Sequence, residues 1–463
     1  MLSNLEATTT LSDLIERAEP ERRRFERVRA YIRGDHDPLY TNSSRVRREY
    51  RKLAEQSVLN LCPVIVHTAT DRLYVDGYRS ADSTLNSEAW AIWQHNRMDA
   101  KQNIIHQSVV AYGVAYATVL PGSPFPVISP KSALRMSAFF DDEEDDFPEY
   151  AIERLGKSRY RLYDAEYIYE FKKSDNGDFK LTKVEEHGVG VCPVVVFTNG
   201  FDAAQAVVGD VERVIPQQNN LNQINFSISI AQEFASFRQK YALGYEIPRD
   251  EDGEPLQSKD QIEASLAKMW LFEDENMKVG EFGQTDIRGS LENRSAIIKN
   301  IAILTAIPAH YLLGDLVNIS ADALAAVESS QTRRTLEKQH TLGEAYELLL
   351  ALAADLQGIE STETANAGVV WRDTSTRSMS QQVDALVKLK ALGVPQKVLW
   401  GMVPGVTQGD VLYWESVALE ESVRTDFQTV QDAESIAQGQ ELRRLIDSGV
   451  SAEDAAEQLG LAA

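Results

Sequence analysis

Cysteine is nearly absent from this chain: Cys62 and Cys192 are the only two in 463 residues. Two thiols exclude a disulfide framework and point to a reducing compartment. Long apolar runs are also absent. A run such as Leu348-Leu349-Leu350-Ala351-Leu352-Ala353-Ala354 falls far short of the ~20 residues that span a bilayer. The start, Met1-Leu2-Ser3-Asn4-Leu5-Glu6, does not show the basic-then-apolar pattern of a secretory leader. There are no convincing repeats and no low-complexity linkers. Positive charge is scarce, with 47 Lys and Arg against 70 Asp and Glu and a net charge of −23. That balance argues against a simple nucleic-acid-binding surface, which neutralises phosphates with Lys and Arg. It leaves open a wall along which a polyanion slides without adhering. Taken alone, composition favours a plainer reading, acidity that aids solubility.

The signatures of enzymes are missing as well. Gly156-Lys157-Ser158 looks like the end of a phosphate-binding loop, but the glycine needed five residues earlier is Ala151. The run Asp141-Asp142-Glu143-Glu144-Asp145-Asp146 lacks the alternation and sixth-position glycine of an EF-hand, as does Asp250-Glu251-Asp252-Gly253. Both read as solvated loops. The histidines His36, His67, His95, His106, His187, His310 and His340 are scattered, with no HExxH pattern. No Gly-x-Ser-x-Gly elbow occurs. Cys62 and Cys192 adjoin Leu61 and Val191 and read as buried structural thiols. No catalytic residue, cofactor or metal is expected.

What the chain does contain is an ordinary globular balance, 43% hydrophobic and 25% charged, long enough for more than one structural region. Its charge is uneven. Residues 1–60 hold twelve Lys or Arg against ten Asp or Glu, and residues 409–463 hold three against twelve. In Glu21-Arg22-Arg23-Arg24-Phe25-Glu26-Arg27 the signs interleave, which suits a solvated helix with local ion pairs. Helical patterns cover 11–35, 50–67, 88–95 and 98–116. A short strand is expected over 71–79. Strands are expected at Tyr116–Leu120, Phe125–Ile128, Glu149–Arg154, Tyr160–Tyr163, Tyr167–Lys172, Phe179–Lys183 and Val194–Thr198. The fold class is α+β, a helical lead followed by a mixed or antiparallel sheet.

Residues 201–360 are the most informative. A helix near 213–243 carries two apolar stripes, Leu221, Ile224, Ile228, Ala231 and Ala235, and Phe226, Ile230, Phe234, Phe237 and Tyr241. Two arrangements bury both: a ring of helices packed side by side, or the central core helix of one domain. A turn-rich insert over 244–285 follows, with Met269-Trp270-Leu271-Phe272 as its apolar patch, too small to bury much core alone. A second helix over 291–307 stops at Pro308, and a third starts at Ser320 and runs towards Gly358, with a break possible near Gly343. The tail holds helical patches at 381–392, 395–403 and 408–422, then an acidic helical hairpin over 427–448 and 451–461.

This order of helix, insert, helix, loop and helix resembles the portal proteins of tailed bacteriophages, particularly those of actinobacterial siphophages. Tyr31-Ile32-Arg33-Gly34-Asp35 is similar to the start of those chains. Ile65-Val66-His67-Thr68-Ala69-Thr70-Asp71-Arg72-Leu73-Tyr74-Val75-Asp76-Gly77-Tyr78 resembles a helix-to-strand element of their wing. Ala100–Ser108 with Tyr112-Gly113-Val114-Ala115-Tyr116 is similar to their next wing helix, and Ala306-Ile307-Pro308 with Leu313-Gly314-Asp315 to the end of stem and start of tunnel loop.

The resemblance implies a portal fold: an α/β wing (1–212 and 320–375), a helical stem (213–243 and 287–307), a small α/β clip (244–286), a tunnel loop (308–319) and a helical, crown-like C-terminal region (376–463). It implies a homododecameric ring at one capsid vertex, a conduit for genome packaging and ejection. The expected location is the virion, with host cytoplasm during assembly. The implied partners are further copies of the chain, the terminase large subunit, a head-completion or adaptor protein, major capsid and scaffolding proteins, and double-stranded DNA passing non-specifically, with no membrane. Ile224, Ile228, Phe234 and Phe237 would pack the stem, and Trp270 and Phe272 would anchor the clip interface. Asp315, Leu316, Val317 and Asn318 would face the channel, with Tyr311, Leu312 and Leu313 anchoring that loop. The rival readings are a metal-dependent nucleic-acid-processing enzyme, whose carboxylates would converge from several elements, and a minor capsid or adaptor protein.

Overall fold

The computed structural model describes residues 1–38, 48–79, 83–142, 144–200, 207–236, 240–243, 278–281, 287–314, 321–359, 367–372, 379–403, 405–406, 408–449, 451 and 459. They fall into two compact units. The first is Met1–Tyr74 with Ser87–Gly368, and the second is Val75–Asn86 with Val369–Ala463. The described helices are α1 (Asn4–Arg33), α2 (Arg48–Gln56), α3 (Cys62–Thr70), α4 (Ser83–His95), α5 (Met98–Tyr112), α6 (Asp210–Ser236), α7 (Arg288–Thr305), α8 (Ala309–Leu313), α9 (Ala321–Leu356), α10 (Met379–Ala391), α11 (Gln396–Trp400) and α12 (Gln408–Asp447). The strands are β1 (Val75–Arg79), β2 (Val114–Leu120), β3 (Val127–Ser132), β4 (Met136–Phe139), β5 (Tyr150–Arg154), β6 (Arg159–Tyr163), β7 (Tyr167–Lys173), β8 (Phe179–Glu186), β9 (Val194–Thr198), β10 (Lys240–Leu243), β11 (Lys278–Glu281) and β12 (Gly368–Trp371).

Helix α1 begins in a capping box. Ser3 Oγ accepts from the Glu6 N–H at 3.3 Å, and the Glu6 carboxylate accepts from the Ser3 N–H at 2.8 Å. It ends at Gly34, whose φ of 92° suits a residue without Cβ. One stripe, Ala7, Leu11, Leu14 and Ala18, is buried against Ile152, Leu162, Tyr169 and Phe171. Those residues belong to a five-stranded antiparallel meander ordered β4-β5-β6-β7-β8. The exposed face carries the interleaved charges as local pairs, Arg22–Glu19 at 2.8 Å and Arg22–Glu26 at 2.6 Å.

The second sheet of this unit is ordered β3-β2-β9, with β2 antiparallel to both neighbours. Helices α5 and α9 pack against it, so β2 is buried along nearly its whole length. An aromatic core fills the seam. Tyr346 of α9 lies 4.8 Å from Phe197 and 5.5 Å from Trp93, ring centre to ring centre, both edge-on. His106 shares this core, 2.9 Å from the Tyr346 hydroxyl. Burial holds its imidazole down to about 3, so it stays neutral.

Several boundaries differ from the sequence expectation for clear reasons. The helix expected over 50–67 is two, because Pro63 sits in the first turn of α3, where its missing N–H costs nothing. Helix α5 stops at Tyr112, where Gly113 takes φ 93° and turns the chain into β2. Helix α9 runs unbroken through Gly343. Strand β4 appears where none was expected, paired with β5.

In the second unit β1 pairs with β12, and the Arg372 guanidinium grips the Asp76 carboxylate at 2.9 and 3.2 Å. Helices α11 and α12 meet through Trp400 and Trp414, ring centres 6.1 Å apart. Lys397 reaches Glu415 at 2.8 Å. The patches expected at 408–422 and 427–448 form one 40-residue helix. Between them Val423-Arg424-Thr425-Asp426 offers neither glycine nor proline to stop it. Most of the expected second arm, 451–461, lies outside the described residues.

Candidate functional site

Helices α6 and α7 pack along each other in the first unit. Beyond α6 the chain enters β10, and before α7 it returns through β11, with Lys240 opposite Glu281 and Leu243 opposite Lys278. The excursion between them is therefore closed at its neck by a two-stranded antiparallel ladder. The helix expected to reach 243 ends at Ser236.

The base of the pair is apolar. Val214 and Leu221 of α6, Ile297, Ile298 and Ile301 of α7, Ile65 of α3, Leu61 just before α3, and Ile307 form one buried cluster. Ile224 packs partly buried against it, and Ile228 is buried. Phe226, from the second predicted stripe, is 1% exposed. The side chain of Phe234 and all of Phe237 lie outside the described residues, as do Trp270, Phe272, Asp315, Leu316, Val317 and Asn318.

After Ile307 the chain turns at Pro308 into the single helical turn α8, so part of the loop expected over 308–319 is helical. Leu312 and Leu313 of α8 pack on the same apolar cluster. Tyr311 is half-exposed, and its hydroxyl donates to Glu328 Oε1 at 3.0 Å. Glu328 also faces the Arg72 guanidinium at 3.4 Å. This links the segment just after α3 with α8 and the first turns of α9. Gly314, with φ 74°, closes α8.

A polar ladder on α6 was not anticipated from the sequence. Gln218 is fully buried, donating to the Leu59 carbonyl at 2.8 Å and accepting from the Leu61 N–H at 3.1 Å. Its amide also donates to Asn222 Oδ1 at 3.0 Å. Asn222 Nδ2 and His36 Nδ1 lie 2.7 Å apart. The Tyr31 hydroxyl donates to Asn219 Oδ1 at 2.8 Å. These bonds fasten α6 to the segments following α1 and preceding α3.

At the start of α6 the Asp210 carboxylate meets the Lys338 ammonium at 2.9 Å, and Asn199 Nδ2 donates to it at 3.2 Å. Lys338 also donates to Asn199 Oδ1. Arg334 lies 3.7 Å from the same carboxylate. Burial pushes the carboxyl up, yet Lys338, Arg334 and Asn199 together hold it below its ordinary value. Two glycines let the backbone cross here. A Cβ on Gly209 would fall 2.1 Å from the Ala111 carbonyl oxygen, and one on Gly113 would fall 2.8 Å from Val207.

Gly156-Lys157-Ser158 is the exposed bend between β5 and β6, and Ala151 is a buried strand residue. The described residues of Asp141–Asp146 form an exposed loop between β4 and β5. Cys62 and Cys192 are buried free thiols, and burial pushes Cys62 up to about 12. Among the described residues no three His, Cys, Asp or Glu side chains converge as metal ligands, and no helix is long and apolar enough to cross a membrane.

A sequence model of the family described as phage portal protein, SPP1 Gp6-like, matches residues 11–437. The portal protein of Mycobacterium phage D29 is 25% identical over 426 residues, spanning 83% of this chain and 85% of that protein. The portal protein of Mycobacterium phage L5 is 24% identical over 369 residues, spanning 71% and 74%. Among solved structures, the fold is similar to a chain of the neck of a native gene transfer agent particle (10% identity, TM-score 0.47, 78% of this chain and 94% of that one). A chain of the virion of a native gene transfer agent particle gives 13% identity, a TM-score of 0.48 and coverage of 77% and 94%.

Proposed function

The chain belongs to the phage portal protein family of the SPP1 Gp6-like type, and we propose that it assembles as a homododecameric ring at one capsid vertex. Through that ring double-stranded DNA enters and leaves the head. The observation that carries this reading is the family match through residues 11–437, which takes in both units. The family is structural, and the chain's role is mechanical: to form a channel and to present docking surfaces.

The parts divide as follows in this reading. Residues 1–212 and 320–375 form the wing, and 213–243 with 287–307 the stem. Residues 244–286 form the clip, 308–319 the tunnel loop, and 376–463 the C-terminal region. Three features of the fold support the division. Helices α6 and α7 are neighbours, their excursion is closed by the β10–β11 ladder, and α8 is tied down immediately before 315. Exposed apolar side chains on α7, Ile303 at 76% and Leu304 at 47%, suit burial between neighbouring copies. Asp315, Leu316, Val317 and Asn318 would face the channel, and Trp270 and Phe272 would anchor the clip. The partners in this reading are the terminase large subunit, a head-completion or adaptor protein, and capsid and scaffolding proteins. A dodecamer multiplies the net charge of −23 twelvefold, a field that discourages DNA from adhering to the wall.

The test is the purified particle. Light scattering should give the mass of a dodecamer, and electron microscopy a ring with an axial channel. A small particle without a channel, or one that cleaves DNA with Mg²⁺, would overturn the reading.

A further inference from the structure

The second unit contains two helices of opposite charge that each leave an apolar stripe in solvent. Helix α10 carries two lysines against one aspartate, and α11 adds Lys397. Helix α12 carries nine Asp or Glu against three Arg. On α10, Val383, Val387 and Lys390 follow one face at four- and three-residue steps, and Val387 is 61% exposed. On α12, Tyr413 and Glu420 stand two turns apart on one row, Leu412 and Leu419 stand two turns apart on the adjacent row, and Tyr413 and Leu419 are each 66% exposed. Lys388 and Lys397 already have partners within the chain, Asp384 and Glu415. Lys390 forms no ion pair among the described residues.

Resting on the ring reading above, we propose that α10 of one copy docks on the first turns of α12 of the next, with Val383 and Val387 covering Tyr413 and Leu419 and Lys390 meeting Glu420. The charges select this pairing over its alternatives. Two α12 helices brought together would set acid against acid, and two α10 helices would set lysine against lysine. Only the unlike pairing joins opposite signs, because like-charge juxtaposition opposes association. A contact between two different surfaces of identical chains is head-to-tail, the kind that closes a ring. The apolar side chains supply the attraction and the ion pair at the edge sets the register, since an exposed pair contributes little by itself.

The experiment uses the full-length chain. Val387→Cys and Leu419→Cys are made separately, given different tags, co-expressed and treated with a short bismaleimide. Cys62 and Cys192 are buried and do not compete. The expected result is a cross-linked dimer carrying both tags, absent when either variant is expressed alone. In a second arm, Lys390→Glu and Glu420→Lys each lower the assembled fraction several-fold at low salt, and the two together restore it. Circular dichroism checks that each variant folds. Wild-type rings with no mixed cross-link, or a double reversal no better than the single ones, would overturn this docking and leave the ring reading standing. A wild-type chain that stays monomeric overturns the ring reading, and this docking with it.

Discussion

Lys338→Met is the most informative single substitution in the first unit. Lys338 and Asp210 are each only 5% exposed and lie 2.9 Å apart. Removing the ammonium leaves a buried carboxylate with Asn199 and an Arg334 nitrogen at 3.7 Å. Loss of one member of a buried pair costs about 3–5 kcal/mol, because the remaining charge is uncompensated. Replacing both members with apolar groups removes that penalty, so Lys338→Met with Asp210→Leu should cost less than the sum of the two single changes. The assay is urea unfolding followed by far-ultraviolet circular dichroism, on the wild type, both single variants and the double. The pH dependence has a definite sign. In the wild type the depressed Asp210 carboxyl contributes stability above its unfolded value of about 3.9, lost as pH falls through the folded value. In Lys338→Met burial dominates and raises that carboxyl. Acid then neutralises it, so the gap between variant and wild type narrows from neutral pH towards pH ~4. A single-variant cost below ~1 kcal/mol, typical of an exposed pair, or strict additivity in the cycle, would refute the coupling.

Other consequences follow from burial and close approach. His106 is held down to about 3, so the unfolded chain binds one more proton there between that value and its ordinary ~6.5. Stability falls with acid across that window, and His106→Gln should flatten the slope by one proton in thermal unfolding measured against pH. Cys62 and Cys192 should resist maleimide at neutral pH and both react in guanidinium, read by mass spectrometry; labelling of the native chain would contradict their burial. Gly209→Ala places a carbon 2.1 Å from a carbonyl oxygen and should cost at least ~1–3 kcal/mol, whereas Gly289→Ala, with nothing near its Cβ, should be tolerated in the same melting assay.

Where the fold rests on periodicity, it can be read directly from the chain. The strand expected at Val194–Thr198 is β9 as observed. The meander β5 to β8 follows its alternating residues, with β-branched and aromatic side chains on the face that α1 covers. The α9 helix was equally plain. Strand β4 was not, because Met136-Ser137-Ala138-Phe139 is too short to show an alternation and takes its shape from pairing with β5. Helix ends drifted where a proline or glycine acted a few residues from the last periodic position, as Pro63 and Gly113 do.

The site divides along the same line. Leu221 and Ile224 stand out as an apolar stripe, but Gln218, Asn219 and Asn222 look like the solvent face of α6. Their partners are Leu59, Leu61, Tyr31 and His36, more than 150 positions earlier in the chain. No local pattern can report a hydrogen bond closed over that distance. Asp210 and Lys338 raise the same difficulty, 128 positions apart. Yet these groups constrain α6 more sharply than its leucines do. An apolar stripe tolerates small sliding, since dispersion and burial are non-directional. A buried amide does not, because a shift of one residue leaves donor and acceptor unsatisfied, at about 1–3 kcal/mol each. The apolar cluster therefore brings α6 to α7, and the amide ladder sets its rotation and height. That fixes where the β10–β11 neck begins.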